Sequence, residues 1–206
     1  MHRIAYCVPC FLALATTAAS AQPQSVYGQA ADTENHQGLF VRVTPGIAGN
    51  AAVANVDGND LTLSGGGGRL GIAVGYSVRP RLIIGGELLG HAVLGPELES
   101  KGTVTTTDED VVWGVSYLGA AINYYLPNNL YLSGSIGTLM MSLETDTQMA
   151  ETELGFGMKL GAGYEWFVSR DVGLGVGLEV LGGSVDDGGT RWSVATVGLA
   201  FSATYN

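Results

Sequence analysis

Beyond its first ten residues the 206-residue chain has no cysteine. Cys7 and Cys10 stand in C-x-x-C spacing, but inside an N-terminal stretch that reads as an export signal, so neither a disulfide framework nor a redox site is expected in the body of the protein. Basic residues are also scarce, with 9 Lys and Arg against 19 Asp and Glu. Nucleic-acid binding calls for a basic patch, which this balance excludes. Charged residues of either sign make up 14%, well below the roughly 25% of soluble domains. The chain also lacks an apolar run of helical-span length. Its longest uncharged stretch, 111–143, is cut by Pro127-Asn128-Asn129 into pieces shorter than the ~20 residues a transmembrane helix needs, and its β-branched and aromatic content favours strands.

What is abundant is glycine, 32 residues, about twice the usual ~7%. The N-terminus has a layout of its own. Met1-His2-Arg3 supplies a short positive region, Ile4 to Ala15 an apolar core, and Ala19-Ser20-Ala21 a small-residue cleavage site before Gln22. Residues 1–21 are therefore expected to be a removed signal peptide, 22–37 a flexible periplasmic lead-in without periodicity, and 38–206 the folded domain.

From Gly38 onward the pattern is alternation. In the cleanest run Phe156, Met158, Leu160, Ala162, Tyr164 and Trp166 alternate with Gly155, Gly157, Lys159, Gly161, Gly163 and Glu165. A period of two puts these sets on opposite faces of a strand. Leu70, Ile72, Val74 and Tyr76 repeat the design, as do Leu174, Val176, Leu178 and Val180. A water-soluble sandwich would turn bulky residues inward onto a dry core. Here the opposite face holds glycines and scattered charges, too small and too polar for such a core, so the bulky face is the one that meets lipid, the signature of a transmembrane β-barrel.

Short turns follow aromatics at Tyr76 to Leu82, Tyr124 to Leu130 and Tyr164 to Val172, and longer polar connections are expected at about 49–65, 95–110, 144–153 and 186–190. Three turns and four loops predict an all-β, eight-stranded antiparallel transmembrane barrel with short periplasmic turns and longer extracellular loops. Its strands are placed at about 38–48, 66–78, 81–93, 111–126, 130–143, 153–168, 172–184 and 191–205. Such a barrel belongs in the outer membrane of a Gram-negative cell, and the tyrosines and tryptophan at its turns would form an interfacial girdle.

The segment from Leu118 to Gly137, with Tyr124-Tyr125 before the turn and Ser133-Gly134-Ser135-Ile136-Gly137 after it, resembles the small outer-membrane β-barrel superfamily that includes opacity proteins and the OmpA-type transmembrane domain. Barrels of that superfamily usually end in Phe or Trp, whereas here Tyr205 precedes the final Asn206.

Inward parity brings Arg42, Arg69, Glu87, Lys159, Glu165 and Glu179 into one narrow lumen. Charges there need partners or water, so a network is expected, with Lys159 held between Glu87, Glu165 and Glu179. Its plain role is lumen filling; its functional alternative is a gated ion path. Gly66, Gly68 and Gly71 match G-x-G-x-x-G, but no helix pattern follows, so no dinucleotide or other cofactor is expected. His36 and His91 are the only histidines after the signal, and neither Ser nor Asp accompanies His91 at a diagnostic spacing. His91 is read as a rim residue near the lipid headgroups, and the protein is not expected to be an enzyme. A lipid-modifying activity is the distant alternative.

The loops carry many carboxylates, among them Asp57, Asp60, Glu97, Glu99, Asp108, Glu109 and Asp110, against only Lys101 and Arg191. Such a face is solvated, and divalent cations shared with lipopolysaccharide are candidate partners there. The sequence-level expectation is a monomer in contact with outer-membrane lipid and lipopolysaccharide, with a structural or surface-interaction role. A narrow ion channel is the alternative.

Overall fold

The computed structural model describes residues 38–206 except Asp57, Glu109, Arg170 and Asn206. The expected signal peptide at 1–21, the expected lead-in at 22–37 and His36 lie outside the described residues, as do Asp57 and Glu109 of the loops and Arg170 of the third turn.

Eight long strands form the wall: β1 (Leu39–Val56), β2 (Asn59–Arg79), β3 (Leu82–Leu94), β6 (Val112–Tyr125), β7 (Leu130–Glu144), β9 (Gly155–Phe167), β10 (Val172–Asp187) and β11 (Thr190–Tyr205). Three short ones, β4 (Glu97–Ser100), β5 (Thr103–Thr106) and β8 (Met149–Glu151), lie in the connections. Each wall strand pairs antiparallel with the next, and β1 also pairs with β11 from Val41↔Tyr205 to Ala54↔Trp192, which closes the sheet into a barrel. Closure removes the two edges that an open sheet would leave in lipid with unsatisfied backbone groups.

The alternation decides which way each side chain points. Phe156, Met158 and Leu160 stand outward and exposed while Lys159 between them is buried. Tyr76, Tyr124, Tyr164, Trp166 and Tyr205 are outward at the short-turn end, and the Tyr164 and Trp166 rings stack with centroids 6.4 Å apart. They form the aromatic girdle of the periplasmic interface.

Two of the expected long loops are not loops. β1 and β2 run on as a continuous ladder to Val56↔Asn59, so 49–65 is a hairpin of 18- and 21-residue strands, well beyond the ~9–11 needed to cross the membrane. Its tip is held by the Asn55 side chain, which accepts from the Gly58 N–H at 3.2 Å and donates to Asp60 at 2.8 Å. At 186–190 the ladder likewise continues to Asp187↔Thr190, turned by Gly188 and Gly189 with φ of +54° and +87°. Small and polar residues there look like loop in sequence, yet ladder pairing is a backbone matter and needs no bulky side chains. The 95–110 connection folds into the β4–β5 hairpin, which extends the sheet from β2, and β8 pairs with the outer end of β7.

Candidate functional site: the charged lumen

Arg42, Arg69, Glu87, Lys159, Glu165 and Glu179 are all buried, each with 8% or less of its surface accessible. They divide into two groups. Nearer the periplasmic end, Arg42 on β1 meets Glu165 on β9 at 3.0 Å. Every neighbour reinforces that pair. Thr204 Oγ1 donates to Glu165 Oε2 at 2.8 Å and accepts from Arg42 Nε at 3.2 Å, and Arg42 Nη1 donates to Asn123 Oδ1 at 3.3 Å. Arg42 Nη2 also donates to the Tyr125 hydroxyl, which donates in turn to Glu165 Oε2 at 3.2 Å. The guanidinium lies over the Tyr131 ring at 4.2 Å, with Phe40 at 5.0 Å and Tyr125 at 5.7 Å. Those rings and Ile83 make an apolar plug around the pair.

In the middle of the barrel, Lys159 Nζ on β9 stands 2.6 Å from Glu87 Oε2 on β3 and 3.4 Å from Glu179 Oε2 on β10, and Arg69 Nη2 on β2 donates to Glu179 at 2.5 Å. Ser135 donates to Glu87 Oε1, and Tyr117 donates to Ser135 at 2.9 Å. Lys159 therefore sits between Glu87 and Glu179, and the third expected partner, Glu165, is taken by Arg42. Four strands carry this square of two cations and two carboxylates. A residual cavity of about 10 Å³ beside it touches Arg42, Arg69, Asn123, Ser133, Lys159 and Glu179. That is room for about one water. Toward the extracellular end the lumen turns apolar, filled by Trp113, Val115, Leu139, Leu181 and Val185, each 2% exposed or less.

Glycines on the inner faces of β9 and β10 are what admit the aromatic plug. A Cβ on Gly163 or Gly177 would come within 2.5 Å of the Tyr131 hydroxyl, and one on Gly157 within 3.1 Å of the Tyr117 ring. The glycine abundance of the sequence is thus partly a space requirement of two inward tyrosines.

His91 is not at the rim. It shares inward parity with Glu87 and Leu89, is 5% exposed, and lies beside Arg69 in the β2–β3 ladder, with neither ring nitrogen hydrogen-bonded among the described residues. Position along the strand had pointed to the rim, but parity decides the direction. Tyr125 departs from expectation in the same way. It precedes a turn as a girdle residue would, yet its ring is buried in the lumen. Asn123, Ser135, Thr204, Tyr117 and Tyr131 complete the network and are absent from the sequence-level site. Inward parity was the signal that marked all of them. At the extracellular end the carboxylates stay apart: among the described residues no three His, Cys, Asp or Glu gather into a group that could hold a metal ion.

A closed wall with an apolar exterior, an aromatic girdle and a charge-paired interior defines a transmembrane β-barrel of the bacterial outer membrane. The chain belongs to the outer membrane protein beta-barrel domain family, whose model matches residues 11–205. Among solved structures, the Neisserial surface protein A is 15% identical, with a TM-score of 0.58 over 82% of this chain and 97% of that one. OprG of Pseudomonas aeruginosa is 14% identical, covering 82% of this chain and 97% of that chain at a TM-score of 0.48. Ail, the attachment invasion locus protein of Yersinia pestis, is 11% identical, with coverages of 81% and 99% and a TM-score of 0.41. At 15% identity, the likeness to the Neisserial surface protein A establishes the fold alone. A comparison with curated protein sequences gives no match.

Proposed function

We propose that this barrel is a monomeric, non-conducting scaffold whose work is done by the extracellular ends of its strands, in a structural or surface-interaction role. The observation that carries this reading is the filling of the lumen at three successive levels: the Phe40–Tyr125–Tyr131 plug, the ion-pair square, and the Trp113–Leu139–Leu181 layer. An eight-stranded barrel has an interior just wide enough for side chains, and here they occupy it. An ion would have to displace apolar side chains at both ends and strip partners from Lys159 or Arg69 between them. A lipid-modifying activity would ask for reactive groups open to the membrane surface, whereas His91 is turned inward.

One feature favours a narrow ion path instead, namely the water-sized cavity beside three cations. Planar-bilayer recording on the refolded chain separates the two. The scaffold reading expects a silent membrane, and steady single-channel steps would overturn it.

A further inference from the structure

We propose that strand β5 is a docking edge for an extended, cationic polypeptide segment, which joins the extracellular sheet by strand addition. The inference deepens the surface-interaction reading and rests on it.

Barrel closure leaves no free edge in the membrane, but outside it the sheet continues as β2–β4–β5, and among the described residues β5 pairs with β4 alone. The pairing phase fixes which backbone groups are free. The Thr107 N–H donates to the Pro96 carbonyl at 3.1 Å, so in this antiparallel ladder 107/96 is a hydrogen-bonded pair. By alternation 105/98 is another, while Thr106↔Glu97 and Val104↔Glu99 are the non-bonded pairs. Val104 and Thr106 therefore turn their N–H and C=O away from β4, toward the open side. All four β5 residues are exposed, and Val104 keeps 56% of its surface accessible.

The edge is also preorganised. Ser100 and Thr103 are joined by the two-residue turn Lys101-Gly102, both at positive φ (+52° and +76°), the primed hairpin turn that matches strand twist. Natural edges are usually blunted by a charge, a proline or a bulge. Thr103-Val104-Thr105-Thr106 has none of these and is rich in strand-favouring side chains.

Charge selects the occupant. Glu97 and Glu99 lie one strand in, on the same face as Thr106 and Val104, and Asp108 and Asp110 follow β5. A second copy pairing through its own β5 would bring those carboxylates against their like, which disfavours self-association. A segment with lysines or arginines at alternate positions would meet them with the opposite sign while its backbone completes the ladder.

The test uses the refolded protein in detergent micelles and a short fluorescent peptide of alternating lysine and valine, read by anisotropy. Saturable binding is expected, weakened about tenfold when alternate peptide amides are N-methylated, because the loss of ladder hydrogen bonds leaves charge untouched. Thr106→Pro removes one outward N–H without touching the bonds to β4 and should weaken binding by a similar factor. Glu97→Gln with Glu99→Gln should weaken it severalfold and flatten its salt dependence. Absence of binding by the parent peptide, or equal binding by the methylated one, would overturn the proposal. Neither result bears on conductance, so failure here and failure of the scaffold reading are separately visible.

Discussion

The two ion-pair groups of the lumen use the same chemistry to different degrees of completion. Around Arg42 and Glu165 a threonine, an asparagine and a tyrosine satisfy the charges, and three aromatic rings exclude water. Around Lys159 the pairs are as short, yet among the described residues Arg69 Nε and Nη1 and the Ser133 hydroxyl find no hydrogen-bond partner, and a water-sized cavity adjoins them. The first group is a finished lock and the second keeps spare hydrogen-bonding capacity. A buried charge pair stabilises only where geometry and extra hydrogen bonds offset its desolvation, so the two groups should respond differently to the loss of one member.

The largest effect is expected at the lock. Glu165→Gln keeps the shape but leaves the Arg42 charge without its carboxylate, and breaking a buried pair destabilises by about 3–5 kcal/mol. Urea unfolding of the refolded variant in micelles should place it at the top of that range. A midpoint close to wild type would mean that Asn123, the hydroxyls and the rings alone hold the guanidinium. Lys159→Met should cost about 3 kcal/mol, the low end of the same range, because Glu179 keeps Arg69 and Glu87 keeps Ser135. Bilayer conductance should stay silent in this variant if the lumen is scaffold; a loss of stability equal to that of Glu165→Gln would erase the distinction between the groups.

A pair of glycine substitutions sharpens it further. Gly177→Ala would push a methyl against the Tyr131 hydroxyl, 2.5 Å from the new Cβ, in a ring already pinned by Arg42 and Tyr125. Overpacking of this kind typically costs about 1–3 kcal/mol. Gly161→Ala would meet Ser133 Oγ at 2.6 Å and Glu179 Cγ at 3.0 Å. Ser133 is a small rotor beside open volume, so the smaller loss of midpoint is expected there. The reverse order would show the middle group to be the more rigid.

The contrast also explains what the sequence made legible. The side-chain period of a strand is fixed at two, so the inward set from Arg42 to Glu179 follows from alternation alone once the strands are found. Partner choice does not. It depends on how far each strand is slid against its neighbours around the closed wall, a property of the whole barrel and not of any one segment. Hence Glu165 reads equally well as a partner for Lys159 or Arg42, and only the register assigns it. The misread loop at 49–65 has the same origin. Ala51, Ala54 and Gly65 to Gly68 carry no bulky pattern, while the ladder that holds them is made by backbone groups that every residue has. At the lumen ends, local context misled where parity was available: His91 and Tyr125 sit near strand termini, but both are inward.

The smallest effect expected is at Ser133, and it bears most directly on the spare capacity of the middle group. Its hydroxyl is buried, faces the cavity and has no hydrogen-bond partner among the described residues. If one ordered water bridges it to Glu179, Lys159 or Asn123, that water makes two to four bonds and is costly to remove. Ser133→Ala would then take away one of those bonds and lower stability by about 0.5–1.5 kcal/mol. If the hydroxyl is dry, the alanine relieves a buried unsatisfied group, and the variant should match or exceed wild type in urea midpoint. The sign of this small change therefore reports whether the middle group is hydrated. Glu165→Gln as background separates those partners: the change stays the same within about 0.3–0.5 kcal/mol when the water bonds only Glu179 and Lys159, and moves beyond that when it bonds Asn123, which Arg42 also holds.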